Sequence, residues 1–315
     1  MNCIFFDTIG LDMQALVTSA QPQEIQVVFW SELNEKEQAT ALRNADAFMV
    51  ATYPITAQLL KQAPKVKIVQ KMGVGVDNID SKAAAALGIA VGNVPGGNAN
   101  GVAELTIALI LNLYRHICAL NQATKNCEWQ MWKYRSCSYE IKGKTHGVIG
   151  FGYTGRETAR LSRAFGSSIL YSSTRQAAAD VEKQLGARYV PLDELLREAD
   201  IVSIHVPLLS QTVNLIDKDK LALMKDSAIL VNVSRGNIVN EADLYQALVN
   251  RSLFGVALDV WSQEPVNAGH PLLSLDNVIA LPHVGGGTVD AAINIYQYSF
   301  ANMLACFRGQ QFHAL

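Results

Sequence analysis

The sequence has no surplus of charge. Its 26 lysines and arginines against 28 aspartates and glutamates leave a net −2, and charged residues make up only 17% of the chain. Nucleic acid and anionic membrane both call for a basic surface, so there is no electrostatic reason to expect either as a partner. Long apolar runs are missing as well. The longest with helical character, residues 105–113, is too short to span a bilayer and includes Asn112. The opening Met1-Asn2-Cys3-Ile4-Phe5-Phe6-Asp7 has no basic segment and reads as a first strand, not a signal peptide. Cysteines are few and odd in number: Cys3, Cys118, Cys127, Cys137 and Cys306 have neither metal-ligand spacing nor the context of a nucleophile. They read as reduced thiols, which predicts a cytoplasmic protein with no metal site.

What is present is a large apolar fraction, 50% of 315 residues, more than one core comfortably holds. Two domains are therefore predicted. Short β-like runs at 3–6, 26–29, 47–50, 67–70 and 89–91 alternate with helix-like stretches near 11–20, 34–43, 56–62 and 80–87. Such alternation predicts a parallel sheet with helices on both faces. The turn formers of 93–98 break the pattern and mark a domain crossing. One long helix is predicted from Ala99 to about Thr124, followed by an irregular segment, 126–141, holding Trp129, Trp132 and Tyr139. Those aromatics fit either an interface or a local satellite core. Further strands follow at 147–150, 168–172, 188–190, 201–205, 228–233, 255–260 and 278–281. A last helix from Thr288 to about Phe307 has no strand after it, so it is assigned back to the first domain. The boundaries are 1–98 plus 289–315 for one domain and 99–288 for the other.

The α/β alternation of the second domain opens on Gly-Val-Ile-Gly-Phe-Gly-Tyr-Thr-Gly, residues 147–155, between a predicted strand and a predicted helix over 156–164. Gly150, Gly152 and Gly155 have the spacing that turns the chain off a strand, admits a pyrophosphate to the backbone and packs helix against strand. Three polar residues then stand where strands of this domain should end: Arg235, Glu264 and His283. An arginine clamps a carboxylate with two parallel hydrogen bonds. A histidine exchanges a proton near neutral pH, and a neighbouring carboxylate favours its charged form.

The blocks Val231-Asn232-Val233-Ser234-Arg235-Gly236, Ala257-Leu258-Asp259-Val260, Glu264-Pro265 and Leu281-Pro282-His283-Val284-Gly285 resemble the signatures of the D-isomer-specific 2-hydroxyacid dehydrogenases. So do residues 73–80, Pro95-Gly96, Val102-Ala103-Glu104 and His205-Val206-Pro207-Leu208, in family order over about 70–290. The resemblance implies two doubly wound parallel-sheet domains, Rossmann-like and flavodoxin-like, with a cleft between them. The first would bind substrate and the second the dinucleotide. It implies hydride transfer between a nicotinamide cofactor and a small 2-oxo or D-2-hydroxy acid. His283 would donate the proton, Glu264 would orient and charge it, and Arg235 would hold the carboxylate with the amides of Val74 and Gly75. Asp259, assisted by the Val233 carbonyl, would hold the nicotinamide carboxamide. Tyr153, Thr154, Val206, Pro207, Thr212 and Gly285 complete the implied cofactor set, and the segment 126–141 implies a homodimer in which Trp129 or Trp132 reaches the partner's pocket.

The chain departs from the family pattern at two places. Ser173 stands where relatives that prefer NAD carry an acid, and no acid occurs between Ile169 and Ala179. The donor-rich Ser172-Ser173-Thr174-Arg175 suits a 2′-phosphate, so NADP(H) is expected over NAD(H). Thr154 replaces a bulkier aliphatic residue. Tyr53 lies in a loop whose counterpart lines the substrate pocket, or is a surface tyrosine. Glu264, where formate dehydrogenases of the family have glutamine, argues against that branch. The resulting expectation is a glyoxylate/hydroxypyruvate-type reductase. The rivals are a phosphoglycerate dehydrogenase, which needs a basic pocket toward which Lys71 alone contributes, and a dinucleotide-sensing corepressor-like protein.

Overall fold

The computed structural model describes residues 1–312; His313, Ala314 and Leu315, which the sequence assigns to the first domain, lie outside the described residues. The chain divides into two units, Met1–Asn98 with Gly287–Leu315, and Ala99–Gly286.

The first unit is built on β1 (Asn2–Phe5), β2 (Gln26–Phe29), β3 (Ala47–Val50), β4 (Ile68–Lys71) and β5 (Ala90–Gly92). All pair in parallel, in the order β2-β1-β3-β4-β5. Side chains alternate between the faces of a strand, so a sheet covered on both sides needs apolar residues at every position. Ile4, Phe48, Val50 and Val69 enter the core on one face, while Cys3, Phe5, Ala47, Met49 and Ile68 enter the core on the other. The second core is closed by the helix Val289–Phe307, through Ala291, Ile295, Tyr296, Phe300 and Met303. Asn302 on this helix donates to Gln70 Oε1 at 3.2 Å and to the Asn93 carbonyl at 3.0 Å, a buried polar tie between helix and strand ends.

The second unit holds seven parallel strands: β6 (Thr145–Ile149), β7 (Ser168–Ser172), β8 (Ala187–Tyr189), β9 (Ile201–Ile204), β10 (Ile229–Asn232), β11 (Gly255–Leu258) and β12 (Val278–Ala280). Their order, β12-β11-β10-β9-β6-β7-β8, reverses direction at β6, between β7 and β9. That is the topological switch point of a doubly wound sheet, where ligands bind outside the carboxyl ends of the strands. The strands begin and end within two residues of the positions read from the sequence. Because all are parallel, every residue that directly follows a strand lies on one edge of the sheet.

Inside this unit runs a chain of polar side chains. His146 on β6 bonds Ser162 Oγ at 2.9 Å through Nδ1 and Ser203 Oγ at 2.8 Å through Nε2. Ser162 continues to Ser167 at 2.8 Å, and Ser203 to His205 Nε2 at 2.9 Å. Burial, with a smaller contribution from His205, holds His146 far below the usual histidine range, at about 3.

The single long helix expected from Ala99 is two helices, Ala99–Arg115 and Ile117–Lys125, bent by 64° at His116. No glycine or proline marks the break. Side chains impose it: Asn112 Oδ1 accepts the Cys118 amide at 3.0 Å, and the His116 ring stacks on Tyr134 at 4.2 Å while its backbone takes φ 52°. The aromatic segment also divides. Tyr139 packs edge-on against Tyr114 in a core, whereas Trp129 and Trp132 are 80% and 67% exposed. Among the described residues no single helix is long and apolar enough to cross a membrane.

Candidate active site

Where β6 ends, Gly150 adopts φ 93°, and a Cβ there would lie 2.7 Å from the His205 carbonyl oxygen. Gly152 caps the helix Tyr153–Ala164, which starts three residues earlier than the sequence suggested. A Cβ at Gly155 would come 2.0 Å from the Gly150 carbonyl, so the helix packs on the strand only because that side chain is missing. Around Gly152, in contrast, a Cβ would meet nothing within 4 Å. Tyr153 is exposed and Thr154 half-buried in the first helical turn.

After β7, Ser173 is half-buried and Thr174 and Arg175 are exposed. The shape of this loop is set from below. Tyr171 donates its hydroxyl to Glu182 Oε1 at 2.6 Å and accepts the Ala177 amide at 2.8 Å, while Gln176 donates to the same glutamate at 3.0 Å. Burial, aided by Glu182, pushes the Tyr171 phenol up to about 12. After β9, Val206 is half-buried and Pro207 exposed; Thr212 is buried and pins their loop, accepting the Leu209 amide and donating to the Pro207 carbonyl, each at 2.7 Å.

The ends of β10, β11 and β12, three adjacent strands, carry the polar set. Past buried Val233, the half-buried Arg235 donates through Nη1 to the Ser234 carbonyl at 2.7 Å, and Asn232 folds back onto the Arg235 carbonyl at 2.9 Å. Past β11 and β12, the structure brings Glu264 and His283 together, with Oε2 2.7 Å from Nδ1. The other glutamate oxygen, Oε1, accepts the Trp261 amide at 3.0 Å. The imidazole thus faces its carboxylate through Nδ1 and keeps Nε2 as its second proton-exchanging atom. His283 itself takes φ 56°, a left-handed conformation that disfavours most side chains. Asp259 enforces it. Its carbonyl accepts the His283 amide at 2.8 Å, and its two carboxylate oxygens accept the amides of Val284 and Gly285 at 2.8 and 2.7 Å. Burial raises the Asp259 carboxyl against the opposing pull of those amides. Asp259 is 0% exposed and serves as the post that holds the His283 loop.

In the first unit, Asp7 at the end of β1 organises the loop bearing Tyr53. It accepts the amides of Ala51, Thr52 and Tyr53 at 2.5, 2.6 and 3.1 Å and the Thr52 hydroxyl at 2.7 Å. Tyr53 stacks on Phe6 with ring centroids 5.0 Å apart. Val74 is exposed and Gly75 half-buried just past β4, and Asn93 donates to the Val74 carbonyl at 2.9 Å. Lys71 is buried, donating to the Ala51 carbonyl and to Asn78 Oδ1.

Residues 107–285 match the family described as D-isomer specific 2-hydroxyacid dehydrogenase, NAD binding domain. The chain belongs to the D-isomer specific 2-hydroxyacid dehydrogenases. This dehydrogenase is 40% identical over 276 residues to a glyoxylate reductase of Aeropyrum pernix, covering 85% of this chain and 82% of that one. It is 36% identical over 284 residues to a hydroxypyruvate reductase of Thermotoga maritima, covering 89% and 90%. A D-3-phosphoglycerate dehydrogenase of Archaeoglobus fulgidus is 39% identical over 241 residues, 76% of this chain but only 45% of that longer protein. Among solved structures, the apo form of D-lactate dehydrogenase from Escherichia coli superposes with a TM-score of 0.87 at 25% identity, covering 100% of both chains.

The residues of the dehydrogenase fit a dinucleotide. Open space beside Gly152, at the N-terminus of a helix, is where amides and the helix dipole receive a pyrophosphate. Sequence reasoning missed the supporting residues: Asp7, Glu182, and the pair Glu241 and His270 considered below. An acid two residues past β1 was a usable signal for Asp7. Glu241 and His270 act on partners far along the chain and carried none, and Glu182 sits in an ordinary surface helix.

Proposed function

We propose that this dehydrogenase is a reductase of small 2-oxo acids of the glyoxylate and hydroxypyruvate type, with NADPH preferred over NADH. The contact between Glu264 and His283 at 2.7 Å, at the strand ends of the dinucleotide-binding unit, carries the reading. With Nδ1 on the carboxylate, His283 Nε2 is the atom that gives a proton to the carbonyl oxygen of the substrate, and Glu264 steadies the imidazolium before transfer. Arg235 binds the substrate carboxylate and polarises the carbonyl beside it. Val74, Gly75 and Tyr53 are the substrate-binding residues of the first unit. A bound nicotinamide dinucleotide supplies the hydride in reduction. Gly150, Gly152, Tyr153, Thr154 and Gly155 hold its pyrophosphate, Val206, Pro207 and Thr212 border it, and Val233, Asp259 and Gly285 shape the nicotinamide end.

The NADP preference is supported by the hydroxyls of Ser173 and Thr174 beside exposed Arg175, with Glu182 engaged by Tyr171 and Gln176 beneath the loop. A phosphoglycerate dehydrogenase would want a cation for the substrate phosphate, and buried Lys71 is instead engaged by Ala51 and Asn78. Exposed Trp129, Met131 and Trp132 support a homodimer, and the exposed free thiols of Cys118 and Cys127 support a reducing, cytoplasmic setting. The deciding experiment is turnover of glyoxylate, hydroxypyruvate, pyruvate and 3-phosphohydroxypyruvate with each dinucleotide. Fastest turnover of the first two with NADPH is expected; a preference for the phosphorylated acid, or no turnover at all, would replace this reading with one of its rivals.

A further inference from the structure

The proton-transfer pair is held by a second carboxylate and imidazole that touch neither of its members. Glu241 opens the helix Glu241–Val249. Ser262 gives it both donors, the amide to Oε1 at 2.7 Å and the hydroxyl to Oε2 at 2.6 Å. His270 Nε2 stands 3.1 Å from the same Oε2, and the two side chains are only 14% and 22% exposed. The His270 ring in turn meets the Trp261 ring edge-on at 5.5 Å.

The Trp261–Ser262 peptide fixed in this way is the meeting point of the three strand-end loops. Toward the β10 loop it lies so close to Gly236, next to Arg235, that a Cβ there would sit 1.8 Å from the Trp261 carbonyl oxygen. Asn237 adds a bond to the Ser262 carbonyl at 3.4 Å. Within its own loop, the Trp261 amide donates to Glu264 Oε1 at 3.0 Å. Toward the β12 loop, the indole Nε1 donates to the Leu281 carbonyl at 3.0 Å, two residues before His283. Displacing this one peptide would move Arg235, Glu264 and His283 relative to one another.

We propose that Glu241 and His270 are positioning residues for the reduction: by clamping Ser262 and Trp261 they set the relative placement of Arg235, Glu264 and His283. This rests on the proton-transfer role of His283. A carboxylate accepts from both Ser262 donors at once, whereas a carboxamide in its place turns a donor toward one of them. Small misplacements of reacting groups are enough to lower a rate by about a hundredfold.

The test is glyoxylate reduction at saturating NADPH by Glu241→Gln, Ser262→Ala and Ser262→Thr, with KM, dinucleotide affinity by tryptophan fluorescence and melting temperature measured on each. For Glu241→Gln, kcat is expected to fall about ten- to a hundredfold, with KM and dinucleotide affinity changed less than about threefold. Ser262→Ala should fall in the same direction by less, and Ser262→Thr, which keeps the hydroxyl, should recover most of the parental kcat. Parental kcat in Glu241→Gln and Ser262→Ala overturns the proposal, as does a loss of dinucleotide affinity and melting temperature that parallels kcat. His283→Ala assayed alongside keeps the two ideas apart. If it is inactive while Glu241→Gln runs at the parental rate, only the clamp fails; if His283→Ala itself turns over normally, the underlying reading fails.

Discussion

An ammonium cannot reproduce the two parallel hydrogen bonds of a guanidinium, so Arg235→Lys is a stringent probe of the substrate carboxylate. Both Arg235→Lys and Arg235→Ala should raise KM for glyoxylate and lower kcat, together reducing kcat/KM by about a hundredfold or more, because an arginine in the proposed role would hold the acid in ground and transition states alike. A lysine variant with parental kinetics would place the carboxylate elsewhere. Arg175 is the second residue with a sharp readout. A charge-assisted contact to a 2′-phosphate is worth about 1.5–3 kcal/mol, so the ratio of kcat/KM with NADPH to that with NADH should be roughly ten- to a hundredfold. Arg175→Ala should shrink that ratio by harming NADPH alone; equal loss with both dinucleotides would show that it does not meet the phosphate. Arg235, Glu264 and His283 were legible in the sequence because parallel strands deliver whatever follows them to one edge of a sheet. Glu241 was not, since it acts on the backbone amide of a loop that the sequence leaves unpaired until the fold closes.

At the scale of elements, runs of four buried residues announce parallel strands whichever face they serve, and this is why both sheets could be read in advance. The break at His116 could not be read. No helix breaker stands there, and local propensity alone continues the helix through a point that Asn112 and Tyr134 hold open. Polar residues inside strands were equally silent. His146 in β6 and Ser203 in β9 satisfy each other across the sheet. The burial of His146 has a pH consequence. His146 is neutral in the fold down to about pH 3, whereas the unfolded chain takes up its proton near the ordinary histidine value of 6.5. The unfolded state therefore binds more protons throughout that interval. The stability this group contributes is complete above pH 6.5 and is lost as pH falls toward 3, with a limiting slope of about 1.4 kcal/mol per pH unit. Urea unfolding across this range should show His146→Gln less stable at pH 7 but with a shallower acid limb than the parent; parallel limbs would mean that His146 is not held neutral.

At the scale of the whole molecule, the exposed Trp129, Met131 and Trp132 are the largest apolar residues left uncovered on one segment of the chain. A two-fold homodimer burying them is expected, and Trp132→Asp should shift the equilibrium toward monomer in light scattering at micromolar concentration. A parent that is already monomeric there would leave those side chains without that role. Dimer or monomer, the proposed chemistry stands on one imidazole oriented by one carboxylate, and a single comparison probes it. Parent and His283→Ala, both shown by fluorescence titration to bind the dinucleotide with equal affinity, are assayed for kcat/KM on glyoxylate. A loss of about a thousandfold or more in the variant is expected from removing the proton donor; turnover within a few-fold of the parent would contradict the mechanism outright.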